Sequence, residues 1–216
     1  RFASHSALVA SDSQGFPPLM PPCHRPKATR RFRNCEGRLG RPVRISADPA
    51  VPGGGPGAVD VEHDCELISA EELEKHLNSD VAFVTLQAIQ YRSGGRPDIK
   101  GITDVARKHG ALVIWDCSHA AGAIDLQFDA NGVDLAVGCT YKYGNSGPGS
   151  PAWMFIRKEL QDQLRIPIQG WFSNERQFEM GPFYEKAEGI RGFQIASPSI
   201  IGIRGVEDAF EMIAEA

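Results

Sequence analysis

Two short apolar segments constrain the fold of this chain most strongly. Six of the seven residues in 111–117 are apolar, and a second apolar run covers 133–139. Such runs are typical of strands covered on both faces of a parallel sheet. A helix predicted over 97–109 separates the first from another predicted strand, 81–86, and this β–α–β alternation implies right-handed crossovers. The sequence therefore predicts an α/β fold, a mostly parallel sheet with flanking helices.

Both apolar segments end in groups that can do chemistry. Asp116 lies at the end of the first, with His119 three residues further on, and Lys142 follows the second just before a Gly-rich turn. Open α/β sheets bind ligands at the carboxyl ends of their strands. A lysine amine can hold pyridoxal 5'-phosphate (PLP) as a Schiff base, while a carboxylate keeps the pyridine nitrogen protonated, so that the ring accepts electrons. Alone, Asp116 could be a helix cap and Lys142 a solvated residue. Their combination predicts a PLP site.

Residues from about 81 to the end resemble the central part of kynureninase, a PLP enzyme of the aspartate aminotransferase-like fold (fold type I). The matching segments follow the family's order along the chain: 91–94, 115–122, 137–149, 170–172 and 192–200. The Asp-x-x-His and lysine elements recur in related PLP families, whereas Gly170-Trp171-Phe172 is particular to kynureninases. The resemblance implies that the fold is the large PLP-binding domain, present here incompletely.

The same resemblance implies roles for individual side chains. Lys142 matches the lysine that bonds the cofactor, Asp116 matches the partner of the pyridine nitrogen, and Tyr141 matches a tyrosine that contacts the phosphate and takes part in proton transfer. Lys142 and Tyr141 are therefore the catalytic candidates. Four further side chains match cofactor contacts of the family: His119, Trp171, Ser197 and Gln87. Ser197 stands where the family carries Asn or Thr, and the match at Gln87 is loose.

The implied reaction is hydrolysis of L-kynurenine, or its 3-hydroxy form, to anthranilate, or 3-hydroxyanthranilate, and L-alanine. This would place the chain in tryptophan catabolism and NAD biosynthesis, as a PLP-dependent hydrolase of a carbon–carbon bond that forms a homodimer. One alternative is another fold type I PLP enzyme, such as a cysteine desulfurase, which needs a reactive loop cysteine, or a class V aminotransferase; Gly170-Trp171-Phe172 argues against both. The other alternative is a truncated, catalytically inactive fragment.

The N-terminal quarter differs in composition from the rest. Residues 1–47 carry nine Lys and Arg against only Asp12 and Glu36, while the whole chain has a net charge of -4. Residues 1–57 are also rich in Pro and Gly, and no helix or strand period persists there. A segment of this composition cannot bury enough apolar surface to offset its ordering entropy. We therefore expect 1–57 to be irregular or disordered and 58–216 to form the partial PLP-binding domain.

Other classes of protein receive no support from the sequence. No apolar run approaches the length of a membrane span, and the N-terminus has no signal-peptide pattern. The five cysteines show no metal-pair spacing. The expectation is a cytoplasmic protein that binds a small-molecule substrate, without metal, membrane or nucleic acid as a partner. The resemblance implies a longer full-length protein, with a phosphate-binding segment that residues 1–60 do not match; we expect the domain with the carboxylate-binding arginine to lie beyond residue 216.

Overall fold

The computed structural model describes residues 67–216 except positions 80, 165 and 167, together with the backbone of five strands nearer the N-terminus. In chain order the helices and strands are β1 (Ser6–Val9), β2 (Ala28–Asn34), β3 (Val43–Ala47), β4 (Ala58–Asp60), β5 (Glu62–His63), α1 (Ala70–Glu74), β6 (Phe83–Gln87), α2 (Ile99–Lys108), β7 (Leu112–Asp116), β8 (Leu135–Gly138), β9 (Ala152–Ile156), α3 (Lys158–Gln161) and α4 (Ile200–Glu215).

These elements form two compact units. The Asp116 unit comprises the described residues of 24–120 and 124–136, and the Lys142 unit comprises those of 1–23, 121–123 and 137–216. Most strands and helices lie within one unit, whereas β8 is divided between the two after Ala136.

The Asp116 unit contains a mixed sheet with the strand order β7-β6-β3-β2-β4, in which β5 also pairs with β2. β6 and β7 are parallel, and their register places Gln87 opposite Asp116. β3 runs antiparallel to both β6 and β2. In sequence, α2 lies between β6 and β7. Asp98, just before it, caps the helix: its carboxylate accepts a hydrogen bond from the backbone N–H of Gly101 at 3.0 Å. The predicted β–α–β unit is therefore confirmed.

The core of the Asp116 unit lies between α2 and one face of β6 and β7. Its buried apolar side chains come from these three elements: Val84, Leu86, Ile102, Ala106, Val113 and Trp115. The indole N–H of Trp115 donates to the hydroxyl of Thr103 in α2 at 3.1 Å, so this large buried ring has its polar atom satisfied. Leu112 and Ile114, which alternate with the core residues, are only half-buried. β7 is thus fully covered on one face rather than on two.

In the Lys142 unit, β1 pairs antiparallel with β9, and β8 lies on the other side of β9. The close packing of β8 on β9 requires glycine at position 138, because a Cβ there would stand 2.6 Å from the Trp153 ring. Ser199, just before α4, caps the helix: its hydroxyl accepts a hydrogen bond from the backbone N–H of Gly202 at 3.1 Å. α4 is the longest helix in the described part of this unit.

The strands and helices predicted within 81–139 are observed, with bounds that differ by one or two residues at most ends. In the segment 1–57, predicted to be irregular, the structure has strands β1, β2 and β3; the rest of that segment lies outside the described residues. The division of the chain at residue 57 stays a prediction. Across the residues that the structure describes, no helix has both the length and the apolar character needed to cross a bilayer.

Candidate active site

Asp116 lies at the carboxyl end of β7, where the strand gives way to a tight turn. One of its carboxylate oxygens accepts a hydrogen bond from the backbone N–H of Ser118 at 2.9 Å. The backbone carbonyl of Asp116 accepts from the N–H of Ala88, which extends the pairing of β6 and β7 by one residue. The carboxylate is half-buried, and no Lys or Arg of the described chain forms an ion pair with it. Its orientation is fixed, while its charge remains available to a cationic ligand.

Gln87 faces the same end of the sheet from β6. Its side-chain oxygen is buried, and among the described residues it has no hydrogen-bond partner. Leaving a buried polar atom unsatisfied costs about 1–3 kcal/mol, so such atoms are commonly completed by a ligand or an ordered water. Because the register pairs Gln87 with Asp116, the unsatisfied oxygen belongs to the strand-end region where the sequence predicts the cofactor.

His119 contacts an aromatic ring from the turn after β6. The centroids of the His119 and Tyr91 rings are 6.1 Å apart, with the two planes tilted by 35°. The guanidinium of Arg92 lies 5.4 Å from the Tyr91 centroid, and its Nε donates to the Tyr91 hydroxyl at 2.9 Å. His119 is half-buried, so it is not a core histidine. The sequence marks Tyr91-Arg92 as part of a matching segment but gives no signal for this contact.

Cys117, next to Asp116, is not a nucleophile in this structure. Its side chain is fully buried. Burial raises the pKa of the Cys117 thiol, and the negative charge of Asp116 raises it further. Since the thiolate is the reactive form of cysteine, this residue is a small apolar member of the core.

Lys142 lies in a turn that is closed by several hydrogen bonds. The hydroxyl of buried Thr140 donates to the carbonyl of Pro151 at 2.7 Å, and the N–H of Asn145 donates to the carbonyl of Lys142 at 3.1 Å. The Lys142 side chain is half-buried, with its amine 5.8 Å from the centroid of the half-exposed Tyr141 ring. No carboxylate in the described part of the chain pairs with this amine. The turn therefore presents an amine and a phenol side by side.

Trp171 and Ser197 lie on segments whose backbones are in contact. A Cβ on Gly170 would overlap the carbonyl of Ile195, so only glycine allows the two segments to approach this closely. The Trp171 ring packs edge-on against Phe172, with centroids 4.9 Å apart, and against Phe178, at 5.8 Å. Trp171 is 42% exposed and Ser197 is exposed, which excludes a buried Trp171–Phe172 core pair. The sequence gives no local signal for the Gly170–Ile195 contact.

The predicted site residues thus fall into two groups. Asp116, His119 and Gln87 belong to the Asp116 unit, whereas the others belong to the Lys142 unit: Tyr141, Lys142, Trp171 and Ser197. The donor set fits PLP chemically, with an amine for its aldehyde, a carboxylate for its pyridine nitrogen, and accessible indole and hydroxyl donors for a phosphate. That the two groups meet around one cofactor stays a prediction.

The chain is similar to known proteins over most of its length. The aminotransferase class-V family model matches residues 59–216. Kynureninase from Pseudomonas fluorescens is 38% identical over 147 residues, which are 68% of this chain and 35% of that protein. Kynureninase from Deinococcus radiodurans is 32% identical over 154 residues, 70% of this chain and 38% of that protein. The chain therefore spans less than two-fifths of the length of these relatives.

Solved structures share the fold at lower identity. A cysteine desulfurase from Thermococcus onnurineus NA1 has a TM-score of 0.64 at 18% identity, over 74% of this chain and 40% of its own. A variant of the cystine C-S lyase C-DES, with glycine covalently linked to its PLP cofactor, has a TM-score of 0.61 at 22% identity, over 68% of this chain and 38% of its own. Family and relatives together indicate PLP as the cofactor.

Proposed function

Because the chain belongs to the aminotransferase class-V family, we propose that it carries the PLP-binding core of a kynureninase. The proposed reaction is hydrolysis of L-kynurenine, or 3-hydroxykynurenine, to anthranilate, or 3-hydroxyanthranilate, and L-alanine. The relatives named kynureninase support this assignment over other enzymes of the fold. A homodimer and a place in tryptophan catabolism and NAD biosynthesis are parts of the same proposal.

The observation that carries the proposal is the placement of Gly170-Trp171-Phe172. This tripeptide is the element of the resemblance particular to kynureninases, and its glycine is in backbone contact with Ile195, two residues before Ser197. An indole N–H and a serine hydroxyl can both donate hydrogen bonds to a phosphate. The segment that distinguishes kynureninases in sequence therefore adjoins the segment on which the resemblance predicts a cofactor contact.

Each proposed role follows from the chemistry of the side chain. Lys142 would hold the cofactor through its amine, and the same amine would serve as the base for the proton on the α-carbon of the substrate. The Asp116 carboxylate keeps the pyridine nitrogen protonated, and the Ser118 N–H holds that carboxylate in place. Bound PLP supplies an electron sink for the charge that develops at the α-carbon. Tyr141, whose ring is beside the Lys142 amine, moves protons in the later steps.

The overall reaction consumes one water molecule. The bond between the β- and γ-carbons of the substrate breaks, the hydroxyl of water joins the aryl carbonyl fragment as a carboxylic acid, and a proton joins the β-carbon to give alanine. A base and a proton donor are both required, and the amine of Lys142 and the phenol of Tyr141 are the groups of this chain that meet those needs.

The proposal is tested by product analysis of the purified chain with PLP. L-kynurenine, 3-hydroxykynurenine and L-cysteine are incubated separately, and anthranilate, 3-hydroxyanthranilate, alanine and sulfide are quantified. We expect the aromatic acid and alanine in equal amounts from a kynurenine, and neither product from the Lys142→Ala variant. Sulfide from cysteine without anthranilate would favour a desulfurase. Bound PLP without any product would contradict the proposed activity and favour an inactive fragment.

A further inference from the structure

Gly122 makes a close backbone contact with the residues that follow Lys142. Its φ is +84°, and a Cβ at this position would lie 2.6 Å from the carbonyl oxygen of Tyr143 and 2.9 Å from the nitrogen of Gly144. Real Cβ atoms essentially never come within 3.0 Å of such atoms. Both sides of the contact belong to the Lys142 unit, which includes 121–123. The peptide that follows Tyr143 therefore lies directly against position 122.

Hydrogen-bonded turns follow Asp116 in the segment that leads along the chain to Gly122. The Ser118 N–H bonds to the Asp116 carboxylate, and the Ala120 N–H donates to the carbonyl of Cys117 at 2.9 Å. His119 lies between these two bonds, three residues before Gly122.

Gly144, on the other side of the contact, is itself closely packed. A Cβ on Gly144 would stand 2.7 Å from the ring of Phe210 in α4 and 2.5 Å from the carbonyl of Thr140. The Asn145 N–H closes the turn onto the carbonyl of Lys142. The Tyr143–Gly144 peptide is therefore packed closely against Gly122 and, at Gly144, against Phe210 and Thr140, which limits its movement away from a side chain at position 122.

We propose that Gly122 is a positioning residue for Lys142. Its missing side chain allows position 122 to contact the Tyr143–Gly144 peptide next to Lys142, and that contact determines where the lysine amine stands. This inference rests on the proposed function, in which Lys142 bonds PLP. A methyl group at position 122 would push the Tyr143–Gly144 peptide away by about 0.4 Å or more, the difference between 2.6 Å and the 3.0 Å limit. A misplacement of about 1 Å near a reacting group lowers the reaction rate on the order of 100-fold.

The experiment compares Gly122→Ala with a control that has the same backbone strain but no contact. Gly149 has a φ of +82°, and a Cβ there would have nothing within 4 Å. Both variants are titrated with PLP, reduced with borohydride and mapped by peptide mass spectrometry, with circular dichroism to show that each is folded. We expect PLP to bind at least about tenfold more weakly at Lys142 in Gly122→Ala, and within about twofold of the parent in Gly149→Ala.

If Gly122→Ala does not fold, the double variant Gly122→Ala/Phe210→Ala is compared with Phe210→Ala alone. Removal of the Phe210 ring gives the Tyr143–Gly144 peptide room to move, so Gly122→Ala combined with Phe210→Ala is expected to fold while Lys142 stays poorly labelled. Labelling equal to that of Phe210→Ala alone would overturn the inference, as would parental labelling in Gly122→Ala. Absence of PLP from Lys142 in the parent would overturn the proposed function and this inference with it, so the two failures are distinguishable.

Discussion

The ion pair between Arg107 and Asp134 gives a quantitative test of how the Asp116 unit is held together. Asp134, just before β8, is fully buried, and its carboxylate is 3.1 Å from a guanidinium nitrogen of Arg107 in α2. The same nitrogen donates to the carbonyl of Gly132. Arg107→Met would leave the buried carboxylate without this cation. Breaking a buried ion pair by removing one partner costs about 3–5 kcal/mol.

The expected loss lies at the low end of that range, because the Arg107 side chain is 38% exposed and water partly replaces the guanidinium. We expect Arg107→Met to lower the free energy of unfolding by about 3 kcal/mol. With a urea dependence of about 2 kcal/mol per molar, the unfolding midpoint would fall by about 1.5 M. In the background of Asp134→Asn, the same substitution should cost only about 1 kcal/mol.

The matched control is Arg204 in α4, which pairs with Glu207 at 2.7 Å and Asp208 at 2.8 Å and is 65% exposed. Exposed ion pairs contribute about 0–1 kcal/mol, so Arg204→Met should barely move the midpoint. Urea titrations followed by circular dichroism measure both variants. Equal shifts in the two variants would refute the argument that burial of Asp134 makes the Arg107 pair important.

Three further predictions concern single side chains. Because burial raises the pKa of Cys117, iodoacetamide should label it only in unfolded protein, and labelling of the native chain would contradict its burial. Trp171→Phe keeps an aromatic ring but removes the indole N–H donor, so PLP should bind about tenfold more weakly in a titration. Hydrogen bonds from Lys108 and, to a smaller extent, His109 lower the pKa of Glu74 from 4.5. The ionised Glu74 therefore stabilises the fold above pH 4.5, and this stabilisation is lost as the pH falls through the lowered pKa. In Glu74→Gln, the free energy of unfolding should depend less steeply on pH in that range, as measured by acid titrations.

The predictable part of the fold is the part encoded by local pattern. The apolar run 111–117 and the helix before it form β7 and α2 because each element buries residues that its own periodicity places on one face. β3 was not predicted, although Val43-Arg44-Ile45-Ser46-Ala47 alternates apolar and polar residues. Five residues inside a basic segment rich in Pro and Gly are too short a pattern to identify a strand that pairs with β6 through long-range hydrogen bonds.

The candidate site likewise combines residues that a local sequence pattern identifies with contacts that no local pattern reveals. Asp116 and Lys142 were identified from residue type and position at strand ends, which are local properties. The contacts of Gly122 with Tyr143 and of Gly170 with Ile195 join residues that are distant along the chain, and a glycine in a sequence does not reveal which backbone lies against it. The packing of Tyr91 on His119 is likewise a tertiary contact with no local signal.

The most direct test of the account is the visible absorption spectrum of the chain with PLP, compared between Lys142→Ala and Lys186→Met. Lys186 is the fitting control because burial lowers the pKa of its amine, a property that favours reaction with an aldehyde, although that amine donates to the carbonyls of Gln161 and Leu164. We expect a yellow band of lysine-bound PLP that disappears in Lys142→Ala and persists in Lys186→Met. A band that persists in Lys142→Ala and disappears in Lys186→Met would contradict it.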